Sequence, residues 1–248
     1  MKKKITVDIV FPVYYDNLHT LEDSTAKILT HIKNIQEPFL FKIIISINGP
    51  QAKQITKKAK LLSQSYKSVT ILYTKNQGKG HGVLNAWKNS SADILTYMDI
   101  DLATSLESFE QLINEIRKGT DLSIGSRYLA ASKIKRFLLR YLMSKIYHIF
   151  LINKFLKLPI KDVQCGFKAI KKSAFQQLCF DISNYEFFFE AEMLYLAHRL
   201  KMKIVEIPVL WKESRVSGMR LFTTSFFFIL SIIKLKFREV FEKLRTHF

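Results

Sequence analysis

Two aspartates separated by one residue, Asp99 and Asp101, have the residue type and spacing of a divalent-metal site. They end a strand-like run at residues 95–101, and side chains two apart on a strand point to the same side. Two carboxylates aimed at one point repel each other unless a cation lies between them, and Mg²⁺ binds such oxygens together with substrate phosphates. The simpler interpretation is a surface turn with two solvated acids, so the surrounding elements must decide.

Strand-like and helix-like segments alternate along the first half of the chain. β-Branched and aromatic runs predict strands at 5–14, 41–47, 69–73, 95–101 and 122–126, and helical spacing predicts helices at 18–35, 51–65, 83–89 and 106–118. This alternation indicates an α/β domain with a mostly parallel central sheet flanked by helices. Ligands of such sheets bind beyond the carboxyl ends of the strands. Tyr14, Asn48, the loop at 76–82 and the two aspartates are therefore expected at one crevice.

The loop at residues 76–82 contains glycines at 78, 80 and 82 and a lysine at 79. It lacks the spacing of a phosphate-binding P-loop and of a dinucleotide fingerprint. One interpretation is a flexible turn between a strand and a helix. The other is a glycine-rich backbone at Gly78 that lets a nucleotide or sugar approach the helix start, with Lys79 neutralising phosphates.

The formal charge of +18 is the unusual bulk property of these 248 residues. A field of that sign favours phosphate-rich partners, whether nucleic acid, anionic lipid or sugar nucleotide. The two cysteines, Cys165 and Cys179, lack metal-site spacing and suit a reducing compartment. The chain starts with a strand-like run and not with an apolar signal segment, so we expect a cytoplasmic protein.

Five motifs occur in a fixed order: Pro-Val-Tyr-Tyr-Asp at 12–16, Asn-Gly at 48–49, Asn-Gln-Gly-Lys-Gly at 76–80, Asp-Ile-Asp at 99–101 and Gly-Ser-Arg at 125–127. This order resembles family 2 glycosyltransferases with the GT-A fold, in which helices flank a Rossmann-like sheet. Asp-Val-Gln-Cys-Gly-Phe-Lys at 162–168 resembles a signature of the dolichyl-phosphate β-glucosyltransferases, and residues 98–104 resemble their metal segment. The resemblance covers about residues 5–220 and implies a glycosyltransferase domain at 1–220.

The resemblance implies inverting transfer of a hexose, glucose first of all, from a nucleoside-diphosphate sugar such as UDP-glucose to a polyprenyl or dolichyl phosphate. Asp99 and Asp101 would hold Mg²⁺ or Mn²⁺ against the diphosphate. The implied donor-binding residues are Pro12, Tyr14, Asp16, Asn48, Asn76, Gly78, Lys79, Asp99 and Arg220. The chain departs from the family at three places: Asp16 replaces the usual glutamate, Glu190 stands where aspartate is more common, and Ile47-Asn48 replaces a pair of aspartates, which leaves uridine selectivity open.

The acceptor side of the site is also implied by the resemblance. Arg127, Arg140 and Ser144 are candidates for neutralising the acceptor phosphate, and the last two share a helix face because they are four residues apart. Asp162 and Gln164 would orient the sugar or the acceptor. Glu190 and Glu192 cannot face the same way on a helix, and Glu192, which matches the family more closely, is predicted for the crevice, where it would tether a phosphate-binding arginine.

Two stretches indicate contact with a membrane surface. Residues 133–157 contain seven Lys or Arg and no acid, with apolar residues at helical spacing, which predicts an amphipathic interface helix. A core helix with a solvated basic face is the simpler interpretation. The apolar run at 221–233 is shorter than the roughly 20 residues of a spanning helix, so it could lie in the interface or pack as a core helix, and a crossing is not expected. We therefore predict a membrane-associated segment at 221–248 and a monotopic protein on the cytoplasmic face of an anionic membrane.

Two other functions stay open from the sequence. A soluble sugar or glycan acceptor would need a general base, for which Asp16, Asp162 and Glu192 are the candidates. A non-catalytic basic protein that binds RNA or anionic membranes is the alternative of a different class. The chain contains no nucleic-acid-binding motif, so a nucleic-acid partner is not expected.

Overall fold

The computed structural model describes residues 4–14, 17–35, 38–50, 53–135, 154–186, 188–212 and 221–245. Its first half consists of β1 (Ile5–Val13), α1 (Leu18–Lys33), β2 (Phe39–Asn48), α2 (Lys53–Ser65), β3 (Val69–Thr74), α3 (Lys79–Lys88) and β4 (Ile94–Met98). The second half consists of a 3₁₀ turn (Leu106–Ser108), α4 (Phe109–Arg117), β5 (Leu122–Ser126), β6 (Lys133–Lys135), a short helical segment (Lys154–Leu156), β7 (Phe167–Lys171), α5 (Lys172–Leu178), α6 (Phe189–Arg199), β8 (Ile204–Pro208), β9 (Leu210–Lys212) and α7 (Leu221–Arg245).

The central sheet has the strand order β3-β2-β1-β4-β7-β5-β8. Strand β7 runs antiparallel to its neighbours β4 and β5, while all other pairs in this sheet are parallel. A separate two-stranded parallel sheet joins β6 to β9. The predicted α/β fold with a mostly parallel sheet and flanking helices is confirmed.

The strands are apolar on both faces because helices cover the sheet on both sides. Ile43 and Ile45 belong to the core formed with α1, α2 and α4. Val10 and Tyr97 belong to the opposite core, which α3, α5, α6 and α7 share. This two-sided burial explains why the strands read as continuous apolar runs and not as alternating patterns.

Pro12 lies inside the central strand β1. Proline is rare in central strands because it has no N–H to donate to a neighbouring strand. The pairing of β1 with β4 stops at Val10 and Tyr97, whereas the pairing with β2 continues to Val13. Pro12 therefore lies beyond the ladder with β4. The pairing of β1 with β4 thus ends before the carboxyl edge of the sheet.

Three predicted boundaries were wrong. Strand β4 ends at Met98, so the aspartates lie in a turn closed by a hydrogen bond from Leu102 N to Asp99 O at 3.0 Å. Helix α3 begins at Lys79 and not near residue 83. Residues Lys133–Lys135 form β6, so the amphipathic helix predicted at 133–157 does not begin there, and residues 136–153 lie outside the described ones.

Helix α7 packs on the domain with one face. Phe228, Ile232 and Leu235 are buried in the core shared with α6, and Arg238 forms an ion pair with Glu192 at 3.2 Å. The opposite face exposes large apolar side chains: Phe227, Leu230, Ile233, Phe237 and Phe241. Among the described residues, no helix has both the length and the apolar character that a membrane crossing requires.

Candidate active site

The carboxyl ends of five strands meet at one edge of the sheet. Strands β1 to β4 are mutually parallel, and β5 has the same direction because the antiparallel β7 separates it from β4. Tyr14, Asn48, Gly78, Asp99 and Arg127 follow these strand ends and therefore share this edge. The strands thus bring together the segments that the sequence assigned to one crevice.

Asp99 lies against the backbone of Gly166, in the segment that leads into β7. Met98 pairs with Phe167, and Asp99 N donates a hydrogen bond of 3.1 Å to Gly166 O. A Cβ atom added to Gly166 would lie 2.0 Å from Oδ2 of Asp99 and 2.5 Å from its Cγ. Glycine is thus the residue that leaves room for this carboxylate.

The carboxylates of Asp99 and Asp101 fit a hard divalent ion. The Asp99 side chain is 45% exposed, so its carboxylate is accessible from solvent, and the charge of Asp101 acts on it. Asp101 Oδ1 accepts a hydrogen bond of 3.1 Å from Ala103 N, which orients it within the turn. In the described parts of the chain, no cluster of three or more His, Cys, Asp or Glu could hold a metal. The remaining ligands of Mg²⁺ or Mn²⁺ would be water and substrate oxygens, which is how Mg²⁺ is usually bound.

Lys79 joins Asp99 to a buried cluster beneath it. Its Nζ lies 2.8 Å from Asp99 Oδ1 and 3.0 Å from Oε1 of Glu190. The Tyr97 hydroxyl donates a hydrogen bond to the same oxygen of Glu190. Lys168 Nζ lies 3.9 Å from the other carboxylate oxygen, Oε2. Glu190 and Lys168 are almost completely buried. The two carboxylates and the two ammonium groups compensate one another, as buried charges must.

The pKa shifts follow from this pairing. Burial alone would lower the pKa of Lys79, but Asp99 and Glu190 outweigh burial and raise it well above its usual value. The pKa of Lys168 is lowered because burial disfavours its charge. Burial would raise the pKa of Glu190, yet Lys168 and Lys79 lower it. The pKa of Asp99 is raised by partial removal from water, and the charges of Glu190 and Asp101 add to this against Lys79.

The glycines of the 78–82 segment allow close packing at the start of α3. Gly78 has a φ of +136°, and a Cβ there would lie 2.7 Å from Tyr185 O. A Cβ on Gly80 would lie equally close to that oxygen, and one on Gly82 would lie 2.7 Å from Nδ2 of Asn48. Gly80 and Gly82 are helical, so the flexible-turn interpretation does not describe them.

Asn48 braces this glycine segment from β2. It is 3% exposed, accepts a hydrogen bond of 3.3 Å from Gly78 N, and donates to Val13 O at 3.4 Å. Asn76 is exposed, Tyr14 is partly exposed, and Pro12 is buried. Of the predicted donor-binding residues, those that the structure describes lie at one edge of the sheet, and their contact with a donor stays a prediction.

Arg127 and Asp162 form a buried ion pair at the end of β5. Asp162 is fully buried and accepts hydrogen bonds from Arg127 N, Nε and Nη2 at 2.9, 2.7 and 2.9 Å. The guanidinium also lies over the Trp211 ring, 5.6 Å from its centroid. The Asp162 charge raises the pKa of Arg127 against the effect of burial. Gln164 is partly exposed, and its backbone N–H donates to Asp162 Oδ1 at 3.2 Å. The predicted roles of these residues toward substrate stay predictions.

Glu190, and not Glu192, contacts the cluster of Asp99 and Lys79. Glu192 is 1% exposed and accepts hydrogen bonds from Ser183 N, Ser183 Oγ and Asn184 N. It also pairs with Arg238 of α7. The sequence correctly separated the two acids on the helix, but Glu190 is the one that contacts Lys79, and Glu192 pairs with an arginine of the C-terminal helix.

Cys165 is buried and packs as a small apolar side chain. Burial, with the nearby Asp162 charge, raises the pKa of its thiol to about 12. Four other predicted site residues, Asp16, Arg140, Ser144 and Arg220, lie outside the described residues.

Sequence reasoning missed three members of the buried cluster: Tyr97, Lys168 and Glu190. One signal was available, since Lys168 interrupts the apolar strand β7, where an unpaired charge would be costly. The lysine therefore needed a buried acid. The resemblance did indicate an acid of the segment 190–192 at the crevice, but it favoured Glu192 over Glu190.

Comparison with known proteins identifies the family. The sequence profile described as "Glycosyl transferase family 2" matches residues 8–179. A dolichyl-phosphate β-glucosyltransferase of Dictyostelium discoideum is 29% identical over 248 residues, covering 94% of this chain and 75% of that protein. Glycosyltransferase AglD of Haloferax volcanii is 27% identical over 209 residues, covering 84% of this chain. The chain spans only 33% of the length of AglD.

A solved structure extends the comparison to the fold. Glucosyl-3-phosphoglycerate synthase of Mycobacterium tuberculosis, crystallised with Mn²⁺, UDP and phosphoglyceric acid, superposes with a TM-score of 0.63 at 12% identity. The match covers 92% of this chain and 77% of that one. This superposition confirms the predicted GT-A fold, and the family model confirms the predicted class of enzyme. The chain belongs to glycosyl transferase family 2.

Proposed function

We propose that this chain transfers a hexose, glucose first of all, from a nucleoside-diphosphate sugar such as UDP-glucose to a polyprenyl or dolichyl phosphate. The observation that carries this proposal is the convergence of Asp99, Asp101 and Lys79 at the carboxyl edge of the sheet. Two acids and a lysine there suit a metal-bound diphosphate. The Dictyostelium relative, named for glucosyl transfer to dolichyl phosphate, supports the choice of sugar and acceptor.

The reaction is a single displacement with inversion. An oxygen of the acceptor phosphate forms a bond to the anomeric carbon, while the bond from that carbon to the β-phosphate oxygen breaks. The nucleoside diphosphate leaves with the bonding electrons. A divalent ion held by Asp99 and Asp101 would act as a Lewis acid on the leaving diphosphate. Lys79 adds positive charge at the same place, where negative charge develops.

The burial and pairing of two candidate general bases favour a phosphate acceptor over a sugar hydroxyl. A hydroxyl needs a general base, and Asp162 and Glu192 were two of its candidates. Both are buried, and each is paired with an arginine, Asp162 with Arg127 and Glu192 with Arg238. A phosphate monoester has its second pKa near about 6 and is already largely ionised at neutral pH, so it needs no such base.

The deciding experiment offers labelled nucleotide sugars together with a short polyprenyl phosphate. We expect Mn²⁺- or Mg²⁺-dependent transfer of label into the organic phase, as an acid-labile product, with UDP-glucose as the best donor. Label that stays in water as an acid-stable glycoside would favour the soluble acceptor. Nucleotide-sugar binding that is absent with and without metal would favour a non-catalytic binding protein.

The outer face of α7 is proposed to lie on an anionic membrane surface at its cytoplasmic side. Phe227, Phe237 and Phe241 are 65%, 62% and 63% exposed and lie opposite the face that packs on the domain. Lys234 is exposed on the same outer face. A helix with aromatic side chains and basic residues suits the head-group region, and the formal charge of +18 attracts anionic lipid.

Replacing Phe237 and Phe241 together by serine should weaken vesicle binding about tenfold or more, because each buried phenylalanine contributes about 1.5–3 kcal/mol. The measurement is co-sedimentation with vesicles that contain phosphatidylglycerol. Phe180→Ser is the matched control, since Phe180 is 91% exposed and does not belong to α7. Unchanged vesicle binding would contradict the proposal, and a dimer that the double variant dissociates would assign this face to a second copy.

A further inference from the structure

Lys79 occupies the position at Asp99 that a metal ion also requires. Its Nζ lies 2.8 Å from Asp99 Oδ1, while Oδ2 of the same carboxylate lies over Gly166. An ammonium group and a divalent ion both bind to a carboxylate, so the lysine and the metal compete for Asp99. The competition is strong because the Lys79 side chain is only 10% exposed, so little water can solvate the ammonium group in place of Asp99.

Glu190 offers Lys79 a second carboxylate that is held in place. Glu190 Oε1 lies 3.0 Å from Lys79 Nζ and accepts a hydrogen bond from the Tyr97 hydroxyl. The second oxygen, Oε2, faces Lys168. Glu190 is 3% exposed and sits in the first turn of α6. A lysine that releases Asp99 therefore keeps one ion pair and does not become an uncompensated buried charge.

We propose that Lys79 is an internal counter-cation of Asp99, which it releases when the metal and the donor diphosphate bind, and that Glu190 is the positioning residue that retains the ammonium group. The diphosphate, whose presence rests on the proposed function, then accepts the hydrogen bond that Asp99 gave up. Before the donor binds, Lys79 keeps Asp99 oriented and lowers its affinity for metal alone. After the donor binds, the same lysine contributes to holding the diphosphate.

This proposal predicts effects of opposite sign from one substitution. In Lys79→Gln, Mn²⁺ alone should bind about tenfold more tightly, and UDP with saturating Mn²⁺ about tenfold more weakly, which is the scale of one charge-assisted hydrogen bond. Mn²⁺ affinity is measured on the full chain by electron paramagnetic resonance, and UDP affinity by calorimetry. Lys79→Met is the second variant. Lys88→Gln removes an exposed charge from the same helix and should change neither affinity.

A double-mutant cycle tests the role of Glu190. Glu190→Gln should weaken the binding of Mn²⁺ alone several-fold, because Lys79 is then committed to Asp99. In the Lys79→Gln background the same substitution should have no effect, since its action passes through the lysine. An equal effect of Glu190→Gln in both backgrounds, or unchanged Mn²⁺ affinity in both Lys79 variants, would overturn the proposal. Metal binding without nucleotide does not depend on transfer, so this result and the failure of the proposed function are distinguishable.

Discussion

Replacing Gly166 by alanine should reduce glycosyl transfer about 100-fold or more, because a misplacement of about 1 Å in a reacting group can cost that much. The added Cβ would lie 2.0 Å from Oδ2 of Asp99, so the carboxylate must move. The atoms that move are the end of a side chain and not backbone, so the fold itself should persist. The expected result is an intact protein whose metal ligand is misplaced.

Two measurements separate this outcome from simple unfolding. Thermal unfolding should change little in Gly166→Ala, whereas Mn²⁺ affinity and kcat should both fall, and the loss should match that of Asp99→Asn. The double variant should be no worse than either single one, because both remove the same ligand. A Gly166→Ala protein that retains wild-type Mn²⁺ affinity would show that the contact with Asp99 is not required.

Gly119→Ala is the matched control. Gly119 has a φ of +98°, with nothing within 4 Å of an added Cβ. Alanine in that conformation should cost about 1–2 kcal/mol of unfolding free energy without a change in kcat. The two substitutions are chemically identical, yet one should act on the site and the other on stability.

The order of elements was accessible from the sequence because burial on both faces of the sheet leaves a strong local signal. Strand β5 begins and ends at the predicted residues, 122–126. The position of Asp99 at the carboxyl edge of the sheet could be predicted from the parallel direction of the strands alone. These are properties that neighbouring residues determine.

The contacts within the site were less accessible because they depend on which elements become neighbours. The insertion of the antiparallel β7 beside β4 places Gly166 against Asp99, and no local pattern specifies that pairing. Helical periodicity showed that Glu190 and Glu192 face different ways. The choice between them depends on how α6 packs against the sheet, and the structure places Glu190 beside Lys79, whereas the resemblance to the family favoured Glu192.

The start of α3 illustrates a conflict between local and tertiary preferences. Glycine is a poor helix former, so the glycines at 80 and 82 predicted a loop. Both are helical, and glycine is needed at both positions because a Cβ would lie 2.7 Å from Tyr185 O or from Nδ2 of Asn48. Close packing outweighs the local cost of about 1 kcal/mol per glycine, and the same early start of the helix brings Lys79 within reach of Asp99.

Asp162→Asn should lower the unfolding free energy by about 3 kcal/mol, because removing one partner of a buried ion pair leaves the other charge uncompensated. Asp162 is fully buried, whereas the Arg127 side chain is 14% exposed and has little water to replace its partner. For a chain of this size the midpoint of thermal unfolding should fall by about 6–12 °C. Urea unfolding and calorimetry measure the two quantities.

Asp23→Asn is the control for the change of a carboxylate to an amide. Asp23 pairs with Lys27 on the surface, where the side chains are 64% and 61% exposed, and such pairs contribute about 0–1 kcal/mol. If Asp162→Asn were as mild as Asp23→Asn, the buried pair would not stabilise the fold. The double variant Arg127→Met/Asp162→Asn should be more stable than Asp162→Asn alone, because it removes the uncompensated charge.

The ion pair of Arg127 and Asp162 also affects the candidate active site, because the segment that follows Asp162 leads to Gly166. Asp162 accepts the backbone N–H of Gln164, two residues before the glycine on which the Asp99 carboxylate rests. An amide at 162 weakens this anchor, so we expect kcat to fall by about tenfold even where the protein is fully folded. A variant that loses stability but keeps wild-type kcat at low temperature would restrict the ion pair to a role in folding. A loss of both would indicate that Asp162 holds the segment 162–166 in the position that the proposed metal ligand Asp99 requires.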